Sequence, residues 1–124
     1  MAPNSQTALV KVPATSANLG PGFDALGLAL DLWDKVEARV TDQPTTITIV
    51  GQGEGKLPTG PQNLVYRAAQ RAFEQLGHTR LNLALKCQNS IPQGKGLGSS
   101  AAAAVAGCLV ARALAPNGDR KSVV

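Results

Sequence analysis

The sequence predicts an α+β fold in which helices pack on one face of a mixed sheet. Two kinds of hydrophobic periodicity follow one another along the 124 residues. Apolar side chains at every second position indicate strands, and apolar side chains every three or four positions indicate helices. The resulting order is four strands, a helix, a fifth strand and a second helix, which is typical of an α+β sandwich. Aromatic residues make up 3% of the chain, so the core must be aliphatic.

The first strands precede any helical pattern. Residues 7–12 predict one strand, and the alternation over residues 28–40 predicts one or two antiparallel strands. Asp34 interrupts this alternation, so we expect a bulge or bend there. The β-branched segment 45–50 predicts another short strand. The acidic residues of the long alternating segment are expected to be solvated: Asp31, Asp34 and Glu37.

Two helical patterns follow. Residues 61–76 carry an apolar stripe, and Gly77 stands at the position where glycine commonly ends a helix. Residues 81–87 alternate and predict a strand. An alanine-rich segment from about residue 99 to residue 114 predicts the second helix. Its apolar run is shorter than the roughly 20 residues that a membrane-spanning helix needs.

Composition narrows the possible partners. The net charge is +4, and the basic residues are scattered, which suits an anionic ligand such as a nucleotide and is weak evidence for nucleic acid. The N-terminal residues lack the pattern of a secretory signal. Cys87 and Cys108 lack metal-ligand spacing, so we expect both to be reduced, buried and inert, as in a cytoplasmic protein.

The most informative segment is residues 91–102, with the sequence IPQGKGLGSSAA. Three glycines at alternate positions lead into Ser99 and Ser100 at the start of the second predicted helix. Glycines let the backbone approach a ligand closely, and a helix N-terminus attracts anions. The segment therefore predicts a phosphate-binding loop, although its spacing matches neither the Walker pattern nor the dinucleotide fingerprint. The alternative is an ordinary glycine-rich loop with Ser99 as the helix N-cap.

This segment resembles the ATP-binding signature of the GHMP kinase superfamily. The resemblance implies a fold like domain 2 of ribosomal protein S5, with ATP and Mg²⁺ as ligands. It implies catalytic roles for Ser99 and Ser100, which are also the candidate Mg²⁺ ligands. The predicted ATP-binding residues are Pro92, Gln93, Gly94, Lys95, Gly96, Leu97, Gly98, Ser99, Ser100, Ala101, Ala102, Asn63 and Lys86. For Asn63 the alternative is a helix cap, and for Lys86 it is a solvated strand face.

A second motif, PATSANLGPGFDALG at residues 13–27, stands in a predicted loop. Taken alone, Asn18 and Asp24 could merely brace turns. The motif, however, resembles the first motif of the homoserine kinase family, which implies that Asn18 and Asp24 bind the amino acid substrate. The implied reaction is transfer of the ATP γ-phosphate to the side-chain hydroxyl of L-homoserine, in threonine biosynthesis. The alternatives are another small-molecule GHMP kinase or a non-catalytic RNA-binding module like ribosomal protein S5.

The resemblance also implies a chain more than twice this long. Residues 1–124 are expected to be an N-terminal ATP-binding domain without its C-terminal domain or its main Mg²⁺-binding carboxylate. We therefore expect this chain alone to be inactive. The expected partners are ATP and L-homoserine, with a homodimer possible and no membrane or nucleic acid.

Overall fold

The computed structural model describes residues 7–16, 28–78, 80–92 and 98–115. Within them lie four strands and two helices. The strands are β1 (Thr7–Ser16), β2 (Leu28–Val40), β3 (Thr46–Gly51) and β4 (Leu83–Asn89), and the helices are α1 (Leu64–Gln75) and α2 (Ser99–Leu114). The predicted α+β class is confirmed, and each predicted element except the second strand expected within residues 28–40 has a counterpart within a few residues of its expected bounds.

The strands form one mixed sheet in the order β1-β2-β4-β3. Strand β2 pairs antiparallel with both β1 and β4, whereas β3 and β4 run parallel. A parallel pair needs a crossover connection, because the chain must return to the same end of the sheet. Helix α1 supplies that crossover between β3 and β4.

The long alternating segment forms one strand, so the expected order with four strands before α1 is wrong. The bulge or bend expected at Asp34 is present just before that residue. Pro13 faces Trp33 while Ala14 faces Leu30, so β2 carries two extra residues at that point. Such an insertion bends a strand without ending it, because pairing resumes on both sides. Asp34 lies just after the insertion and pairs normally with Val12.

The core lies between the helices and one face of the sheet. Alternate residues of each strand point towards the helices, and Phe73 of α1 and Val110 of α2 are fully buried against them. Helix α2 contacts α1, β1 and β2. The inward-facing strand residues that are buried are Ala8, Val10, Val12, Ala14, Asp34, Val36, Ala38, Ile47, Ile49, Leu83, Leu85 and Cys87. The core is thus largely aliphatic, as the composition predicted.

The two helices approach each other closely at Gly107. A Cβ atom at Gly107 would overlap the carbonyl oxygen of Val65 and would lie 2.9 Å from the backbone nitrogen of Ala69. The alanine-rich composition of α2 therefore has a packing reason beside its helix propensity. Neither α1 nor α2 is long and apolar enough to cross a bilayer.

Candidate functional site

A cavity of about 130 Å³ opens where the starts of both helices meet strands β2 and β4. Its apolar wall includes Ile49, Leu57 and Val65. Its polar residues come from four different segments of the chain: Asp34, Gln62, Asn63, Asn89, Ser99 and Ser100. A pocket with an apolar wall and a few convergent polar groups is the usual form of a small-molecule site.

The start of α2 borders this cavity and is capped by a glycine. Gly98 has φ 77° and ψ 29°, a left-handed conformation that glycine adopts without strain. Its carbonyl accepts the first helical hydrogen bond, from Ala102 N at 2.8 Å. The alternative in which Ser99 is the N-cap is therefore wrong, because Ser99 is the first residue of the helix itself.

The chemistry at this helix start suits an anion. Gly98 supplies no side-chain cap, and the first turn of α2 contains no acidic residue. The positive end of the helix dipole therefore lies at the wall of the cavity that Ser99 and Ser100 also line. Backbone N–H groups of a first turn combined with hydroxyl side chains can bind phosphate oxygens.

The start of α1 is built differently. Asn63 is its N-cap, and the Asn63 Oδ1 accepts a hydrogen bond from Tyr66 N at 3.0 Å. The Asn63 Nδ2 donates to the Pro58 carbonyl at 3.0 Å. The helix-cap alternative for Asn63 is therefore correct. Asn63 nevertheless lines the cavity, so its contact with a nucleotide stays a prediction.

Lys86 does not join this group. It lies opposite Glu37 of β2 and Thr48 of β3 in the middle of the sheet, with its side chain exposed. Its neighbours Leu85 and Cys87 are buried on the helix side. Because successive side chains of a strand point to opposite faces, Lys86 points away from the cavity. The placement gives its predicted contact with ATP no support.

Asp34 is a residue of the site that sequence reasoning missed, as are Gln62 and Asn89. Asp34 was expected to be solvated, but only 5% of its surface is exposed. The Asp34 Oδ1 accepts hydrogen bonds from Ser90 N at 2.8 Å and Ile91 N at 2.9 Å. Burial raises the pKa of this carboxyl, and the two N–H groups act in the opposite direction. The signal was available: Asp34 shares the sequence parity of the buried Val36 and Ala38.

The two cysteines also differ from each other. Cys87 lines the cavity beside Asp34, and burial raises the pKa of its thiol to about 11, with a smaller effect of the Asp34 charge. It is buried, as expected. Cys108 is exposed on α2, so the expectation that it is buried is wrong. The apolar residues around Cys108 in the sequence did not distinguish the core face of α2 from its outer face.

Several predicted site residues lie outside the described residues: Gln93, Gly94, Lys95, Gly96, Leu97, Asn18 and Asp24. The predicted residues of the motif 91–102 that are described lie at the two ends of its glycine-rich segment, residues 93–98, whereas Asn63 and Lys86 lie elsewhere. Pro92 is half-buried just before it, Ala101 is exposed in the first turn of α2, and Ala102 is buried there. Over the part of the chain that is described, no three His, Cys, Asp or Glu side chains are grouped to hold a metal ion.

Comparison with known proteins bears on this cavity. A family profile described as the GHMP kinases N terminal domain matches residues 63–123, which include the glycine-rich segment and both helices. Homoserine kinase of Streptomyces avermitilis is 52% identical over 112 residues, which are 90% of this chain and 37% of that protein. Homoserine kinase of Corynebacterium urealyticum is 50% identical over 106 residues, which are 86% of this chain and 35% of that protein.

Solved structures agree with the sequence comparison. The crystal structure of homoserine kinase from Cytophaga hutchinsonii superposes with a TM-score of 0.75 at 34% identity. The match covers 95% of this chain and 38% of that one. The chain thus spans somewhat more than a third of the length of the curated relatives and of the solved structure that it matches.

Proposed function

We propose that this chain is a member of the GHMP kinase superfamily and forms the nucleotide-binding part of a homoserine kinase. Such an enzyme transfers the γ-phosphate of ATP to the side-chain hydroxyl of L-homoserine, and the product, O-phosphohomoserine, leads to threonine. The observation that carries the proposal is the glycine-capped start of α2, with Ser99 and Ser100, at the wall of the cavity. The identity to homoserine kinases over about nine tenths of the chain supports this acceptor.

The cavity residues fit the phosphates of a nucleotide. Phosphoryl transfer depends mainly on positioning and on neutralising charge around the phosphates. The first turn of α2 would hold the phosphate oxygens through its N–H groups, and the left-handed Gly98 lets the loop enter the helix without a side chain in the way. The apolar wall near Val65 and Leu57 offers a surface for the rest of the nucleotide.

The fit to Mg²⁺ is partial. Mg²⁺ is commonly bound by one or two carboxylates together with the phosphates of the substrate, and it neutralises charge on those phosphates. The hydroxyls of Ser99 and Ser100 can supply oxygen ligands, and the acidic residue that lines the cavity is Asp34. We therefore assign Ser99 or Ser100 a contact with the ion that accompanies the nucleotide, and no further step.

The residues that we assign to the acceptor site come from the second motif, residues 13–27. Asn18 offers an amide and Asp24 a carboxylate, and both would contact L-homoserine, with Asp24 paired to the substrate ammonium. Both residues lie outside the described part of the chain, so their roles rest on the resemblance of residues 13–27 to homoserine kinases.

Calorimetry with the 124-residue chain tests the nucleotide site. Mg-ATP should bind, and adenosine should bind at least about tenfold more weakly, because it lacks the phosphates that the start of α2 would hold. Equal affinity for the two ligands would contradict a phosphate-binding role for α2.

A test of the phosphoryl acceptor requires a longer protein. In a chimera, this chain would replace the matching third of the Streptomyces avermitilis homoserine kinase. A coupled ADP-release assay should then show turnover with L-homoserine that exceeds turnover with mevalonate or galactose. A preference for either of the other two acceptors would refute the assignment to homoserine kinase.

A further inference from the structure

We propose that Asp34 is a positioning residue of the nucleotide site, whose carboxylate fixes the point at which β4 turns into the glycine-rich segment. This inference rests on the proposed nucleotide site. No motif pointed to Asp34, because it lies more than 50 residues before the glycine-rich segment in the sequence. Its role emerges only from contacts in the folded chain.

The position of Asp34 in the sheet explains what its carboxylate does. The pairing of β2 with β4 ends at Lys35 and Gln88, so Asp34 is the next residue of β2 beyond the ladder. At this point β4 leaves β2, and its following N–H groups lose strand partners. The Asp34 Oδ1 accepts the N–H groups of Ser90 and Ile91 in their place, at 2.8 and 2.9 Å.

The two hydrogen bonds act immediately before the predicted phosphate-binding loop. Ser90 and Ile91 directly precede Pro92 and the glycine-rich segment. The Ile91 side chain is fully buried, so the backbone at this turn is held on both sides, by core packing and by the carboxylate.

The other end of the loop returns to the same place. Ser99 and Ser100, in the first turn of α2, line the cavity together with Asp34. Six residues separate Ile91 from Gly98, so the length of the chain limits how far apart Ile91 and Gly98 can lie. A displacement of Ile91 should therefore affect the start of α2.

Gln70 is a matched control, because its role is expected to be structural only. Gln70 is 4% exposed, against 5% for Asp34, and it also holds backbone groups with its side chain. Its Nε2 donates to the Leu81 carbonyl at 2.7 Å, and its Oε1 accepts from Leu81 N at 3.3 Å. Gln70 does not line the cavity, so loss of its bonds should reduce stability without changing nucleotide affinity.

The test compares Mg-ATP dissociation constants of four chains by calorimetry, at a temperature where circular dichroism shows each to be folded: the unmodified chain, Asp34→Ala, Asp34→Asn and Gln70→Ala. Asp34→Ala should weaken binding at least about tenfold, because both N–H groups lose their acceptor. Asp34→Asn keeps an oxygen that can accept both and should stay within about threefold. Gln70→Ala should leave the constant unchanged.

Two results would overturn the inference. One is an Asp34→Ala chain that binds Mg-ATP as tightly as Gln70→Ala does. The other is an Asp34→Asn chain that binds about tenfold more weakly than the unmodified chain, because the charge would then matter and not the turn. If Asp34→Ala does not fold, Asp34→Glu replaces it, since glutamate keeps the charge but moves the carboxylate. Asp34→Glu should bind more weakly than Asp34→Asn, and the reverse order also refutes the role.

A measurement without nucleotide separates this inference from the proposed function. If the unmodified chain does not bind Mg-ATP, the nucleotide site fails, and amide hydrogen exchange decides the inference alone. Ser90, Ile91 and the first turn of α2 should then exchange faster in Asp34→Ala, or in its Asp34→Glu substitute, than in Gln70→Ala. Equal exchange at the start of α2 in the two variants would show that Asp34 does not position it.

Discussion

Two glycines with the same backbone conformation have different roles in this fold because their surroundings differ. Gly98 and Gly77 share a left-handed backbone, with φ of 77° and 87°. One begins α2 at the cavity, and the other follows the end of α1, where an added Cβ would meet nothing within 4 Å. The same conformation thus serves a candidate ligand site in one place and a plain helix end in the other, which makes the pair suitable for comparison.

We expect Gly98→Val to weaken Mg-ATP binding at least about tenfold, whereas Gly77→Val should leave it unchanged. Both substitutions place a β-branched residue in a left-handed conformation, which costs at least about 1–2 kcal/mol in stability. Of the two glycines, Gly98 is the one that directly precedes cavity-lining residues, Ser99 and Ser100. Calorimetry on folded protein measures the affinities, and urea unfolding verifies that the two variants lose comparable stability. An equal loss of affinity in both would show a general effect of destabilisation.

The two thiols should differ in reactivity. The thiolate is the reactive form, and the pKa of Cys87 is raised to about 11, so about one part in a thousand is ionised at pH 8. Cys108 is exposed. Iodoacetamide at pH 8 should therefore modify Cys108 and spare Cys87 in the folded chain, as read by peptide mass spectrometry. Denaturant should abolish the difference, and prompt modification of Cys87 without denaturant would contradict its burial.

At the scale of the elements, α2 has two separate tasks. Its first turn borders the cavity, and its middle packs against α1 through small residues. Ala102, Ala106 and Gly107 are buried, while Val105 is 47% exposed on the outer side. The close approach of the helices at Gly107 brings the start of α1, with Asn63, to the cavity that the start of α2 also reaches.

We expect Gly107→Ala to destabilise the chain, although alanine is favoured over glycine inside a helix by about 1 kcal/mol. The added Cβ would overlap the Val65 carbonyl, and backbone cannot move aside as a flexible side chain can. Overpacking of this kind costs about 1–3 kcal/mol beyond the propensity gain. Urea unfolding measures the change.

Gly60→Ala is the control for this substitution, because a Cβ there meets nothing within 4 Å. It should leave the free energy of unfolding nearly unchanged. A stabilised Gly107→Ala chain would mean that the helices lie further apart than described.

At the scale of the whole molecule, one sheet separates two different surfaces. The helix side carries the aliphatic core and the cavity. On the other side, polar and charged residues predominate, and the Lys11 Nζ lies 5.2 Å from the centre of the Trp33 ring. All polar residues of the cavity are therefore on the helix side, whereas Lys86 is not.

We expect the 124-residue chain to bind Mg-ATP but not to phosphorylate L-homoserine. It spans somewhat more than a third of the length of its relatives, and its described residues contain no group of carboxylates for a metal ion. Phosphoryl transfer requires that the charge on the phosphates be neutralised and that the acceptor be held in line. A coupled assay of ADP release measures turnover, with the chimera as the positive comparison. Turnover of the chain alone above background would contradict this expectation.

The amino-acid sequence by itself determined the elements and the position of the glycine-rich segment. Period-two and helical patterns are local, because they follow from the geometry of strands and helices, so α2 was predicted with its observed bounds. Gly77 was recognised as a helix end for the same reason. The motifs at residues 13–27 and 91–102 led to the family that the comparisons then supported.

Only the tertiary structure decided the pairing of strands, the single long β2 and the role of Asp34. Pairing partners are set by which surfaces pack together, and no local pattern contains that information. Asp34 was judged polar and therefore solvated, but the fold brings two backbone N–H groups to it from more than 50 residues away. A buried carboxylate is stable where such partners exist, and partners so distant in sequence become visible only in the folded chain.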